Sequence, residues 1–174
     1  MLPAIELRIQ NIIKALREVV LPAIPANDRL AIDQAELVIG HLRMIAVQWQ
    51  YALRFEADSL DHLLSLANRI ESTDGIPIAE SARMRLADLH KQYRHFDRSN
   101  EALMAEAIRQ VGSCIDDVIL GEGTEGTITP QLMAAVLKYG ALQAHRERTW
   151  YQDNMLDPDR ADLPSVNSMF AKSA

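Results

Sequence analysis

The sequence predicts an all-α protein: an antiparallel helical bundle built on one very long helical hairpin, with a shorter N-terminal helix, a fourth returning helix and an extended C-terminal tail. Three observations lead there. From Asn27 to Thr73 there is no proline and a single glycine, Gly40. Across that stretch apolar or small residues recur at Ala35, Val38, Leu42, Ile45, Trp49 and Ala52, then, past an interruption at Glu56, at Leu63, Leu66 and Ile70, in alternating steps of three and four, the seam of a packed helix. No stretch alternates with the period of two that marks a half-buried strand.

Taken in order, Pro3–Leu21 puts Leu2, Ile5, Ile9, Ile12, Ile13, Leu16, Val19 and Val20 on one stripe, and Pro22 and Pro25 stop it. Its polar face mixes Glu6 and Glu18 with Arg8, Lys14 and Arg17, which suits packing on its own domain better than binding an anionic membrane. Asn27 or Asp28 then caps the long helix. As one piece that helix would run about 68 Å, roughly 45 residues at 1.5 Å each. Its stability must come from packing along most of its length. Gly75 and Pro77 end it.

A second long helix is expected from about Ile78 to Leu120. Its seam reads Ala82, Leu86, Leu89, Tyr93, Phe96, Asn100, Leu103, Ala107, Val111, Cys114 and Val118. The polar run Asp97-Arg98-Ser99-Asn100 leaves a kink or a break possible, with Ser99 as the cap of a second piece; the continuous phase of the seam favours one helix. Gly121 to Gly126 spells G-x-G-x-x-G, but a helix precedes it and two glutamates occupy it, so it reads as an interhelical loop rather than a dinucleotide fingerprint. The fourth helix, Pro130 to about Met155, carries Leu132, Val136, Tyr139, Leu142, Arg146 and Trp150 on one face and closes at Asp157-Pro158. Residues 159–174 follow as a tail with Leu163, Val166, Met169 and Phe170 as anchors. The organisation expected is thus one domain over residues 1–158 plus that tail.

Composition narrows the function classes. A net charge of −6 gives no electrostatic footprint for a nucleic-acid backbone or an anionic bilayer. A lone cysteine cannot form an intrachain disulfide, and the N-terminus lacks the unbroken apolar core of a signal peptide; with no run long enough to span a bilayer, the expectation is a cytoplasmic protein. None of the histidines has an acidic residue three positions before it, as a di-iron bundle requires. Asp58 and His62 share a face, but two ligands are not a metal site. Cys114 lies on an apolar stripe and reads as core. Arg83, Arg85, Arg94 and Arg98 are interrupted by Glu80, Asp88 and Asp97 and read as a solvated face. No catalytic residues, cofactor or metal are expected.

One convergence stands out. Reflecting the chain about its two turns sets Glu56 opposite roughly Arg94 to Asp97, and Trp150 opposite Asn100, with an error of about one turn. Most of the aromatics (Trp49, Tyr51, Phe55, Tyr93, Phe96, Trp150 and Tyr151) fall in that layer, beside the out-of-place polar residues Glu56, Asn100 and Arg146. Two readings follow. A Glu56–Arg146 pair with Asn100 beside it would fix helix register. Alternatively, Glu56, Asn100 and Arg146 with Trp49, Tyr93 and Trp150 would form a pocket for a small anionic ligand.

The function expected is a non-enzymatic helical interaction or accessory protein. It would be a homodimer, completing a bundle over the far half of the hairpin, residues 44–100. The alternative is a protein, binder or enzyme, that takes a small anionic metabolite in the Glu56/Asn100/Arg146 layer.

Overall fold

A computed structural model of the protein describes residues 4–73, 76, 78–120, 128–154 and 157–171. Among these residues every regular element is helical and there is no strand. The chain runs through α1 (Ile5–Ala15), a π-helical turn (Leu16–Val20), α2 (Leu21–Ala23), α3 (Arg29–Gln48), α4 (Ala52–Ser72), α5 (Glu80–Tyr93) and α6 (Glu101–Leu120). It continues through α7 (Pro130–Tyr151), two 3₁₀ turns (Gln152–Asn154 and Arg160–Asp162) and α8 (Val166–Ala171). The roles expected of Pro3, Gly75, Pro77, the 121–126 loop and Met155 lie outside the described residues. The chain divides into two compact units, one made of residues up to Tyr51 together with those from His145 onward, the other Ala52–Ala144.

The Ala52–Ala144 unit is organised by α4, α5 and α6, which pack on one another. The expectation of a single helix from Ile78 to Leu120 is corrected here: α5 and α6 are separate helices that fold back on each other. Two cross-links fix the geometry. The Tyr93 hydroxyl donates to Gln110 Oε1 at 2.7 Å, and Arg85 Nη1 meets Asp117 Oδ2 at 2.8 Å. Both pairs mirror about Glu101, as in an antiparallel hairpin. The turn is built by polar side chains that offer the backbone an alternative to helix. Asp97 accepts from the Ser99 N–H and the Ser99 hydroxyl, both at 2.9 Å. Asn100 Oδ1 then caps α6 by accepting the Leu103 N–H at 3.1 Å. The cap is Asn100 rather than Ser99.

The apparent continuity of the seam has a simple origin. Both helices bury one stripe in the same core, so both repeat in threes and fours. The stripe also restarts one residue later: Leu103 is exposed while Met104 is sealed from water. Across the α4–α5 connection, Arg98 pairs with Asp61 and the Arg83 guanidinium donates to the Glu71 carbonyl, again an antiparallel pairing. Leu60, Ile70, Leu86, Val111 and Val118 form one continuous core, to which the first half of α7 adds Leu132 and Ala135.

In the other unit, α1 and α3 pack through Ile9, Ile13 and Ile39, flanked by Leu16, Leu42 and Ala46. The π turn precedes Pro22, which has no N–H to give the carbonyl of Glu18; the helix widens there before it ends. Asp28 caps α3, accepting the Ala31 N–H at 3.1 Å.

The single helix expected from Asn27 to Thr73 is likewise two, α3 and α4, joined by Trp49–Tyr51. No proline or glycine marks that break. What coincides with it is local bonding and packing. The Tyr51 N–H reaches back three residues to the Gln48 carbonyl at 2.8 Å, and the Tyr51 ring stacks on Phe170 with centroids 4.9 Å apart.

The segment after Asp157 is not an extended tail. Arg148 holds Asp157 with two hydrogen bonds, at 2.7 and 3.0 Å, and Asp159 with one at 3.3 Å. Ser165 Oγ accepts the Ser168 N–H at 3.1 Å at the start of α8. Val166 and Phe170, one turn apart, are both buried, and Phe170 meets Trp150 edge-on at 6.3 Å. Burying those two side chains is what makes so short a helix worthwhile.

Candidate functional site

The six residues of the expected polar and aromatic layer divide between the two units. In the Ala52–Ala144 unit, Glu56 is half-buried on the first turn of α4. Tyr93 is buried, with its hydroxyl committed to Gln110. Asn100 is exposed, and its amide oxygen is used in capping α6. In the other unit, Arg146 and Trp150 are buried one turn apart on α7, and the Trp150 carbonyl accepts from Gln48 Nε2 at 2.7 Å. Trp49 is largely exposed. Asn100 therefore has a local architectural task that its position on the seam did not reveal; the signal that could have found it is the Asp-x-Ser-Asn run, which is rich in capping residues.

Concave surface suited to a ligand occurs elsewhere. Within the Ala52–Ala144 unit, α4 presents His62, Ser65, Leu66 and Arg69 and α7 presents Ala135, Lys138, Tyr139 and Leu142 to one cleft of about 310 Å³. The spacings are helical: each set occupies one face of its helix at steps of three and four. Leu66 and Ala135 are buried, while Arg69 and Lys138 stand at the solvent side.

A second cleft of about 240 Å³, between α4 and α5, is lined by Asp61, Ser65, Asn68, His90, Arg94 and Arg98 among others and is more polar. Here Arg98 is already engaged. Its hydrogen bond to Asp61 is the main cause of its raised pKa, reinforced by the charges of Asp61 and Asp58. In the other unit a groove of about 330 Å³ runs along α3 over Gly40 and Met44 to Tyr151 and Asn154. A Cβ added at Gly40 would meet nothing within 4 Å.

The perturbed acidic groups owe their shifts to hydrogen bonds, and the cysteine owes its shift to burial. Asp97 is held below the usual carboxylate range by the Ser99 N–H and hydroxyl, and Asp157 by the Arg148 guanidinium and then the Asp159 N–H. Burial pushes the Cys114 thiol up, away from the thiolate that nucleophilic chemistry needs. Among the described residues, no three His, Cys, Asp or Glu side chains gather as a metal site would require, and no helix is long and apolar enough to cross a membrane.

Fold and clefts together define an all-helical protein with ligand-sized concavities. In comparisons with known proteins, no family model, curated protein or solved structure matches the chain.

Proposed function

We propose that the protein is a non-enzymatic helical interaction protein that self-associates as a two-fold dimer through one face of the α1–α3 layer. The observation that carries this reading is an uncovered apolar face. Ile5, Ile12 and Val19 recur every seven residues along α1 and its π turn, and Val38 and Ile45 run along α3 to Trp49 at its C-terminal cap; all six are between 42% and 67% exposed. Isolated exposed apolar residues are ordinary, whereas two parallel stripes beside a shared core are the mark of a surface that docks.

Helix geometry puts both stripes on the same side. At about 100° per residue in an α-helix, Ile5 and Ile12 precede Ile9 and Ile13 on α1 by roughly 70°, and Val38, Ile45 and Trp49 precede Leu42 and Ala46 on α3 by roughly 60°. The short connection runs the helices antiparallel. In antiparallel helices, equal offsets of the same sign fall on one face of the layer. A second copy turned by a two-fold axis would lay its stripes on these and close a four-helix bundle. The polar residues of α1 carry both signs, with Lys14 and Glu18 paired at 3.9 Å, so two copies can approach without facing like charges throughout. The face differs from the one expected from the sequence: it lies mainly before residue 50 rather than over 44–100.

Light scattering at micromolar concentration is expected to return a dimer, and the double variant Ile12→Glu/Ile45→Glu a monomer with unchanged helicity by circular dichroism. A monomeric wild type, or a variant that remains dimeric, rejects this face.

A further inference from the structure

We infer that the cleft between α4 and α7 binds a small organic anion with a flat apolar body, a carboxylate or sulfonate on a ring system of about naphthalene size. The cleft lies wholly within the Ala52–Ala144 unit, so the inference is independent of self-association through α1 and α3.

Three features support it. The first is sign. Among the described residues, the charged ones lining the cleft are Arg69 and Lys138, with His62 beside them, and no carboxylate lines it, in a chain that carries six more acidic than basic residues. The polar cleft on the other side of α4 contrasts with this, because there Arg98 is neutralised by Asp61. A cationic mouth in a net-negative protein selects locally for an anion while the overall charge disfavours large polyanions such as nucleic acid.

The second feature is the distribution of polarity. Leu66 and Ala135 form a buried apolar floor, and Tyr139 and Leu142 form a wall. Leu142 is still 42% exposed, an apolar side chain at the rim whose burial a ligand would complete. An apolar base with a few convergent polar groups at the edge is the usual build of a small-molecule site. An inorganic anion would leave this floor unused, and a neutral hydrocarbon would leave the two cations unused.

The third feature is size. A cavity of about 150 Å³ holds one benzene. This cleft, at about 310 Å³, has room for roughly two fused rings. The arginine adds geometry to charge, since a guanidinium can meet both oxygens of a carboxylate, whereas the lysine acts as a point charge.

The test is titration calorimetry of the full-length protein with 2-naphthoate and with its neutral counterpart 2-naphthalenemethanol. Naphthoate is expected to bind at least tenfold tighter than the alcohol. Arg69→Gln and Lys138→Gln are each expected to weaken naphthoate several-fold and to leave the alcohol unchanged. Both positions are exposed, so both variants should melt as the wild type does. A third variant, Leu142→Asp, is expected to weaken both compounds. Absence of naphthoate binding at millimolar concentration overturns the inference. So does equal affinity for acid and alcohol, or naphthoate affinity indifferent to both cation substitutions.

Discussion

In the Ala52–Ala144 unit, Leu60, Ile70, Leu86, Val111 and Val118 are sealed from water and belong to one continuous core drawn from four helices. The α1–α3 layer shares the same helical periodicity, yet its described core comprises Ile9, Ile13 and Ile39, and it leaves Ile5, Ile12, Val19, Val38 and Ile45 in solvent. The difference does not lie in apolar content. It lies in what each helix finds beside it: α3 packs on α1 through Ile39 and, on another side, on the Gln152–Asn154 turn, and the arc between those two contacts, carrying Val38 and Ile45, is left in solvent. The Ala52–Ala144 unit also exposes apolar side chains, Leu103 and Leu137 among them; what sets α1 and α3 apart is that theirs line up as stripes beside a shared core, and that is where association is proposed.

The largest expected effect breaks the comparison at its centre. Leu86→Ala removes a side chain with no exposure from a core walled by several helices, which leaves a cavity; the expected cost is about 3 kcal/mol in urea denaturation. Ile39→Ala removes a buried side chain from the thin layer, where neighbours can close in, and is expected near the low end of such substitutions, about 2 kcal/mol. Equal losses would mean that the two cores are equally rigid.

Helix caps give a smaller effect and a check on the turn that divides α5 from α6. Asn100→Ala and Asp28→Ala each remove a side-chain acceptor from a helix N-terminus, one in each unit, and each is expected to cost about 1 kcal/mol by chemical denaturation. If Asn100→Ala were neutral, Asn100 would not be acting as a cap.

The smallest effect is in acid. The folded pKa of Asp157 is depressed, chiefly by Arg148, so its contribution to stability is present above the unfolded carboxylate value, near 3.9, and is lost as pH falls through the folded value. Asp157→Asn is expected to flatten the loss of melting temperature as pH falls below about 4. Asp97→Asn should do the same more locally, since Asp97 is held by Ser99 two residues away rather than by a side chain on another helix. A wild-type slope in both variants would show that neither carboxylate is bonded in solution as described.

Much of the helical content was legible because a packed helix writes its buried stripe into the chain: Leu63, Leu66 and Ile70 on α4, and Val111, Cys114 and Val118 on α6, are buried where the seam put them. A cap at Asn27 or Asp28 was legible as local chemistry, and Asp28 is the one that serves; Pro22 reads as a stop in the sequence, but the helix runs through it to Ala23 and ends at Ile24, before Pro25. Other features were not. The separation of α5 from α6 was hidden because both helices face one core, so the periodicity hardly changes across the turn. The break at Trp49–Tyr51 carries no glycine or proline and coincides with the stacking of Tyr51 on Phe170, a contact between residues far apart in sequence. The cleft of Arg69 and Lys138 was invisible for a similar reason. Neither residue is out of place on its own helix, and their meaning comes from facing the same hollow.

The sequence by itself determined that the chain is helical and which stripe of each helix seeks cover, because these depend on backbone chemistry and on spacing within a few residues. Tertiary structure decided which stripes found that cover, where helices broke without a breaking residue, and which charges came to share a cleft. Those outcomes depend on contacts between distant segments, whose geometry no local pattern encodes.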